Sequence, residues 1–240
     1  HLVIPTGGLG MNTGAGDAID LGWKLAAVLH GIAGDGILDS YEAERRQIGL
    51  RNVRASGAAM RGRFNGWRMA DDEAEMARRF DVEQRKVTEI LGIEAGYRYT
   101  DSPAICAEPG DGPDPDNYAY VPTTWPGARL PHVWLDDGTA LADRLGMGFS
   151  ILRLGSAPPS VDALAQALRA GGTPVDIVTL PDVAARRILE RDLILVRPDL
   201  HVVWRGDQPP LDPRAVAAIA SGRADAPAIY EPANASGAVR

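Results

Sequence analysis

Residues 5–16 read PTGGLGMNTGAG, five glycines in twelve positions, and run directly into DAIDLGWKLAAVL. Only a backbone that turns sharply or closely approaches another surface tolerates that glycine density, so the segment is a loop with a task. Behind it Ala18, Leu21, Leu25 and Val28 recur at helical spacing. The pattern predicts a helix to about His30, stopped by Gly31, with Asn12 or Thr13 as N-cap and Asp17 in the first turn, where the helix dipole favours an acid. A helix start exposes unpaired N–H groups and carries partial positive charge, so a glycine loop feeding into one forms a cradle for an anion or a carbonyl oxygen. It is not one of the usual nucleotide-phosphate loops. No Gly-Lys followed by Ser or Thr is present, and Gly8, Gly10 and Gly14 are out of register with GxGxxG.

Leu2-Val3-Ile4, ahead of Pro5, reads as the end of a buried strand, and a chain opening on it is expected to continue a longer polypeptide. After Asp39-Ser40 comes an Arg-rich helical segment whose Tyr41, Ile48 and Val53, with Leu38 just ahead, form a candidate buried stripe. A third helix is expected over residues 72–91, with Met76, Phe80, Val87 and Leu91 inward. Residues 97–127 gather six of the 18 prolines and read as a surface connection or boundary. Beyond it the rhythm changes. Strands are expected at 149–154, 175–180, 193–196 and 201–205, and helices at 161–170, 183–190 and 213–221. That order indicates a small α/β domain. Asp136-Asp137-Gly138 fits a hairpin turn, and Arg197-Pro198-Asp199 a turn between two strands.

Composition removes several functions. Aromatic residues make up 6% and the formal charge is −7, which argues against a nucleic-acid surface. No apolar run approaches the roughly 20 residues that cross a bilayer, and the reading is soluble and cytoplasmic. A single cysteine, Cys106, excludes an internal disulfide and a CxxC redox pair. His30, His132 and His201 are too scattered to suggest a metal site, so none is expected.

HLVIPTGGLGMNTGAGDAIDLGWKLAAVL followed by LDSYEAERR resembles the distal FAD-binding segment of the class A flavin-dependent aromatic hydroxylases, the group related to p-hydroxybenzoate hydroxylase. The likeness covers about the first 55 residues, and His1 would complete that family's Gly-Asp-Ala-Ala-His. The resemblance implies that the loop runs along the flavin edge, with backbone amides at Met11 and Asn12 aimed at the pyrimidine oxygen and nitrogen. It implies a cofactor-binding set of Pro5, Gly7, Gly8, Gly10, Met11 and Asn12. It implies further that the Pro5 carbonyl is the catalytic group, placed to orient oxygen transfer and a phenolic substrate. The same resemblance implies that FAD, with NAD(P)H as co-substrate and O2, supplies the redox chemistry. The Rossmann GxGxxG of that family is absent from the 240 residues, so the chain is expected to need the N-terminal part of the same enzyme as a partner and to be inactive alone.

RLPHVWLDDGTALADRLGMGFSILRLG and LILVRPDLHVVWRGD resemble the thioredoxin-like third domain of larger members of the group, such as phenylpropionate and polyketide hydroxylases. Without CxxC it is read as structural, with a part in assembly and a homo-oligomer as one outcome. The implied fold class is α/β: the C-terminal helical part of an FAD-binding monooxygenase domain (residues 1–100), a Pro/Gly-rich linker (101–128) and a thioredoxin-like α/β domain (129–240). Arg45, Arg46, Arg51, Arg54, Arg61 and Arg63 are expected on a solvated helix face paired with Glu42 and Glu44, the alternative being steering of NADPH or an anionic substrate. Asp17 and Asp20 are read as helix charges before flavin contacts, and Trp23 and Trp67 as core or edge aromatics. Tyr97 and Tyr99 alternate as in a strand, with the substrate-pocket wall as a second possibility. The expected reaction is hydroxylation of a phenol or phenol-like polyketide. The rivals are a non-catalytic binding or assembly module with a vestigial flavin loop, and a flavin enzyme with another outcome, such as epoxidation or Baeyer-Villiger insertion.

Overall fold

The computed structural model describes residues 2–5, 7–68, 72–88 and 90–224, of which 63–68, 80 and 83–88 are described as backbone only. Residues 2–4 form no strand, and Leu2 is fully exposed: among the described residues no strand pairs with the segment.

Helix α1 (Leu9–Leu29) starts earlier than predicted, because Gly7 (φ 83°) and Gly8 (φ 69°) turn the chain in the left-handed region and Gly8 becomes the N-cap. Asn12 and Thr13 therefore lie inside the helix, and Asp17 lies beyond its first turn. The inward face also differs. Leu9, Thr13, Asp20, Lys24 and Ala27 are buried, whereas Ala18 and Leu25 are exposed and Leu21 and Val28 half-buried. The cause is electrostatic: the inner face meets charges from distant segments.

Helix α2 (Gly36–Arg68) packs along α1 and is longer than its apolar spacing indicated. Ile37 and Ile48 are buried, Leu38 and Tyr41 half-buried and Val53 exposed, while Ser40, Glu44, Arg45, Arg51, Asn52 and Ser56 are buried. The expected third helix divides into α3 (Glu73–Thr88) and α4 (Leu91–Ala95). Met76 of α3 is exposed; at α4 Ile90 and Ile93 close on Leu9, leaving Leu91 exposed. The side chains of Arg63, Trp67, Phe80 and Val87 lie outside the described ones, as does His1.

The second half contains a four-stranded sheet. Strands β1 (Phe149–Leu154), β2 (Val175–Leu180), β3 (Leu193–Val196) and β4 (Val202–Gly206) lie in the order β2-β1-β3-β4. β1 is parallel to β2 and antiparallel to β3, and β3 is antiparallel to β4, with an irregularity at Leu195/Val196. Alternation assigns each residue a face. Phe149, Ile151, Leu193, Leu195 and Val203 meet α5 (Asp162–Ala170) and α7 (Pro213–Ala220). Leu152, Leu154, Ile194, Val196 and Val202 meet α6 (Val183–Leu189) and the 130–141 segment. Asp182 caps α6 and Asp212 caps α7, whose first residue is Pro213. Both expected turns form: Gly138 N–H donates to the Leu135 carbonyl, and Leu200 N–H to that of Arg197.

The Pro/Gly-rich segment contributes to packing. Cys106 is buried in the α5/α7 core and its N–H donates to the Val203 carbonyl; Thr123 and Thr124 are buried as well. The two halves also meet directly. Trp23 of α1 packs edge-on against Phe149, the Gly34 N–H donates to the Ser221 carbonyl, and Thr173 Oγ1 donates to the Ile32 carbonyl. A Cβ at Gly222 (φ 62°) would lie 2.2 Å from the Ile37 nitrogen, so this join admits only glycine.

Candidate functional site

The glycine loop and the first turn of α1 form the site that the sequence singled out. With Gly8 as N-cap, the N–H groups of Gly8, Leu9, Gly10 and Met11 precede Asn12, the first i→i−4 donor of the helix, and among the described residues no side chain caps them. Asn12 is the next residue, and its Nδ2 donates back to the Gly8 carbonyl at 3.1 Å. Open space lies beside Gly8: a Cβ there would meet nothing within 4 Å. Pro5 and the side chains of Met11 and Asn12 are exposed, and Val3 lies against Gly10. The result is an uncapped, positively polarised cradle built of backbone, suited to an electronegative ring edge or an anion.

The loop is held from α2. Asn52 Nδ2 donates to Thr13 Oγ1 (2.8 Å), which donates to the Leu9 carbonyl (2.6 Å). Ser56 Oγ donates to the Ile4 carbonyl (2.7 Å). Arg45 donates to Asp17 (2.7 Å), to the Thr13 carbonyl (3.2 Å) and to the Tyr99 hydroxyl (3.2 Å). The arginine series is thus divided. Arg46 pairs with Glu42 in solvent and Arg54 and Arg61 are exposed, as expected, but Arg45 and Arg51 are buried structural donors, Arg51 reaching Asp116 and the carbonyls of Gly92 and Ile93.

Behind the cradle lies a buried charge cluster that sequence reasoning missed. Lys24 Nζ contacts Asp20 and Glu44, each at 2.7 Å, and Arg197 binds Glu44, Asp199 and Asp20. Three carboxylates face two cations in a region closed to water. Burial and the neighbouring Glu44 push the Asp20 carboxyl up to about 7, against the pull of Lys24 and Arg197. Burial opposes ionisation of Glu44 too, but Arg197 prevails and holds its carboxyl at about 2. The available signal was Lys24 four residues after Asp20 in a helix with one other charge, Asp17, and Arg197 set in the apolar run LILVRPDLHVV.

Asp17 and Asp20 are therefore engaged within the protein. Tyr97 and Tyr99 lie on no strand; a single bridge joins Arg98 to Ala128. Their hydroxyls face Arg45, Tyr99 stacks on His201 at 4.3 Å, and both tyrosines line a cavity of about 190 Å³ with Ile19 and Asp199. His201 Nδ1 lies 3.2 Å from Asp199, although neither ring nitrogen makes an aligned hydrogen bond. Among the described residues no cluster suits a metal ion, and no helix is long and apolar enough to cross a membrane.

Comparison with known proteins gives two family matches, the FAD binding domain over residues 1–56 and the C-terminal domain of aromatic-ring hydroxylases over residues 123–227. The FAD-dependent monooxygenase apdD of Emericella nidulans is 35% identical over 234 residues, covering 86% of this chain and 36% of the relative. The tetracenomycin B2 monooxygenase-dioxygenase of Streptomyces olivaceus is 35% identical over 228 residues, covering 90% and 39%. Among solved structures, native and K252c-bound RebC-10x superposes with a TM-score of 0.80 at 35% identity, over 93% of this chain and 44% of that one. A ternary complex of aklavinone-11 hydroxylase with FAD and aklavinone gives 0.67 at 28% identity, over 92% and 42%. The chain spans about two fifths of the length of these relatives.

Proposed function

The chain belongs to the FAD-dependent aromatic-ring hydroxylases and corresponds to their C-terminal portion, and on that premise we propose that it supplies the flavin-facing edge of an enzyme that hydroxylates a phenolic or polyketide aromatic substrate. The observation that carries this reading is the uncapped first turn of α1 behind two left-handed glycines. When bound, FAD reduced by NAD(P)H activates O2 for transfer of one oxygen atom to an electron-rich ring.

Gly7 and Gly8 shape the turn, and Gly10 and Met11 present main-chain amides to the flavin; Asn12, assigned the same task from the sequence, is the first residue bonded within the helix and instead closes the turn through its Nδ2 on the Gly8 carbonyl. Amides at a helix start stabilise negative charge that builds on a neighbouring ring edge, without needing a side-chain acid. The Pro5 carbonyl is the group assigned to orient the substrate. The fit is good: the cradle is open at Gly8, and the described side chains around it do not fill it.

The ADP-binding half must come from other polypeptide, so the chain alone should not hydroxylate. The outer face of α1 supports this, since Met11, Ile19, Leu25 and Leu29 are exposed on a helix whose inner face is polar, the inverse of a finished surface helix. We assign residues 1–100 to the FAD-binding unit, 101–128 to a connection and 129–240 to a thioredoxin-like domain, a reading supported by the βαβ-α-ββα order and the β2-β1-β3-β4 sheet. Its role is structural, in a protein of the cytoplasm. The test is to produce the chain with and without the polypeptide encoded immediately ahead of it. Retained yellow flavin and NAD(P)H-dependent hydroxylation of a phenol only in the combined preparation are expected; a combined preparation that stays colourless overturns the reading.

A further inference from the structure

We propose that Ser56 and Asn52 of α2 are positioning residues that set the orientation of the flavin-facing loop, an inference that rests on the flavin reading above. Positions 45, 52 and 56 fall on one face of α2 at i, i+7 and i+11, and together they hold the loop and the first turns of α1, Ser56 at Ile4 and both Asn52 and Arg45 at Thr13. Ser56 and Asn52 are buried and polar. They meet a segment whose glycines give it little stiffness of its own.

Ser56 acts where stiffness matters most. Its Oγ donates to the Ile4 carbonyl at 2.7 Å. That carbonyl belongs to the peptide plane that ends at the Pro5 nitrogen. The plane is rigid, and the proline ring restricts φ, so orienting the Ile4 carbonyl leaves the Pro5 carbonyl essentially one rotation. Asn52 acts one level further in. Its amide donates to Thr13 Oγ1, freeing the hydroxyl proton for the Leu9 carbonyl, and so fixes the first turn whose outer amides form the cradle. Arg45 completes the column on the Thr13 carbonyl.

A purely structural role would appear in stability alone, whereas positioning must also appear in the flavin. The chain combined with the polypeptide encoded ahead of it is compared as wild type, Ser56→Ala, Asn52→Ala, Ser56→Thr and Ser221→Ala. The last removes a buried hydroxyl bond to the Ala217 carbonyl, remote from the loop, and controls for loss of a hydrogen bond as such. Ser56→Ala and Asn52→Ala are expected to weaken FAD binding by roughly tenfold, the size of one lost buried hydrogen bond. They should also shift the flavin midpoint potential to a more negative value, because misaligned amides stabilise reduced flavin less. Ser56→Thr should recover most of both, and Ser221→Ala should change neither. If both loop-clamp variants bind FAD with the affinity and potential of Ser221→Ala, the inference is overturned. If wild type itself holds no FAD, the flavin reading fails separately. Hydrogen exchange over residues 2–13 of the chain alone then decides the clamp: acceleration in Ser56→Ala and Asn52→Ala supports it, and unchanged exchange overturns it.

Discussion

Arg197 and Glu44, separated by 153 positions, form a two-pronged ion pair, Nη1 to Oε1 at 2.6 Å and Nη2 to Oε2 at 3.0 Å, with both side chains fully buried. One residue comes from the helical half and the other from the turn between β3 and β4, so the pair joins the two halves at their centre. Removing one partner of a buried pair leaves a charge without compensation, which typically costs about 3–5 kcal/mol. Arg197→Met is expected to destabilise the chain by about that much in urea unfolding, and adding Glu44→Met should restore part of the loss. Strictly additive losses would show that the two residues are not coupled.

The Asp20 carboxyl, pushed up to about 7 by burial and Glu44, gives stability a pH dependence of definite sign. Between its ordinary 3.8 and about 7 the folded chain holds a proton there that the unfolded chain has released, so stability falls as pH rises through that window and levels off above it. Glu44 and Asp199 act oppositely, because their pKa values are held down and their contribution is lost only under acid conditions. Asp20→Asn should therefore lose less stability than wild type between pH 5 and 8, measured by urea unfolding at each pH. An identical decline in both proteins would refute the assignment.

Cys106 is buried in the sheet core and burial pushes its thiol up to about 12. A thiol in that state is inert at neutral pH. Native protein should react with a disulfide reagent only as fast as it opens, and addition of urea should release one equivalent rapidly. Fast reaction of the folded chain would place Cys106 at the surface instead.

Gly8 and Gly14 should respond oppositely to the same substitution. Neither Cβ would touch anything within 4 Å, but Gly8 has φ 69° whereas Gly14 lies within α1. Gly8→Ala is expected to cost about 1–2 kcal/mol through left-handed strain, and Gly14→Ala to gain about 0.5–1 kcal/mol through helix propensity. Thermal unfolding of the two variants checks both signs.

Much of the sheet was legible, because its residues alternate between two apolar cores and each strand is bounded by turn residues. Leu193–Val196 and Phe149–Leu154 form where the sequence predicts them. The glycine loop was legible because its glycines shape main chain locally, Gly7 and Gly8 turning it through the left-handed region. The inner face of α1 was not. Apolar spacing selected Ala18 and Leu25, but in this chain the buried side carries Asp20 and Lys24, whose partners Glu44 and Arg197 lie far along the sequence. Local periodicity has no access to such pairings. For the same reason Arg45 and Arg51 read as solvated charges, although their acceptors, Tyr99 and the carbonyls of α4, bury them. Ser56 and Asn52 gave no sequence signal, since a hydroxyl or amide on a helix gains meaning only from what faces it.

The most direct test of the account is the response of the Gly8, Leu9, Gly10 and Met11 amides to FAD, followed by NMR in ¹⁵N-labelled chain combined with the polypeptide encoded ahead of it. The account predicts that these four resonances shift on FAD addition and shift again on reduction, as charge builds on the ring edge beside them. FAD binding that leaves all four unmoved would contradict it.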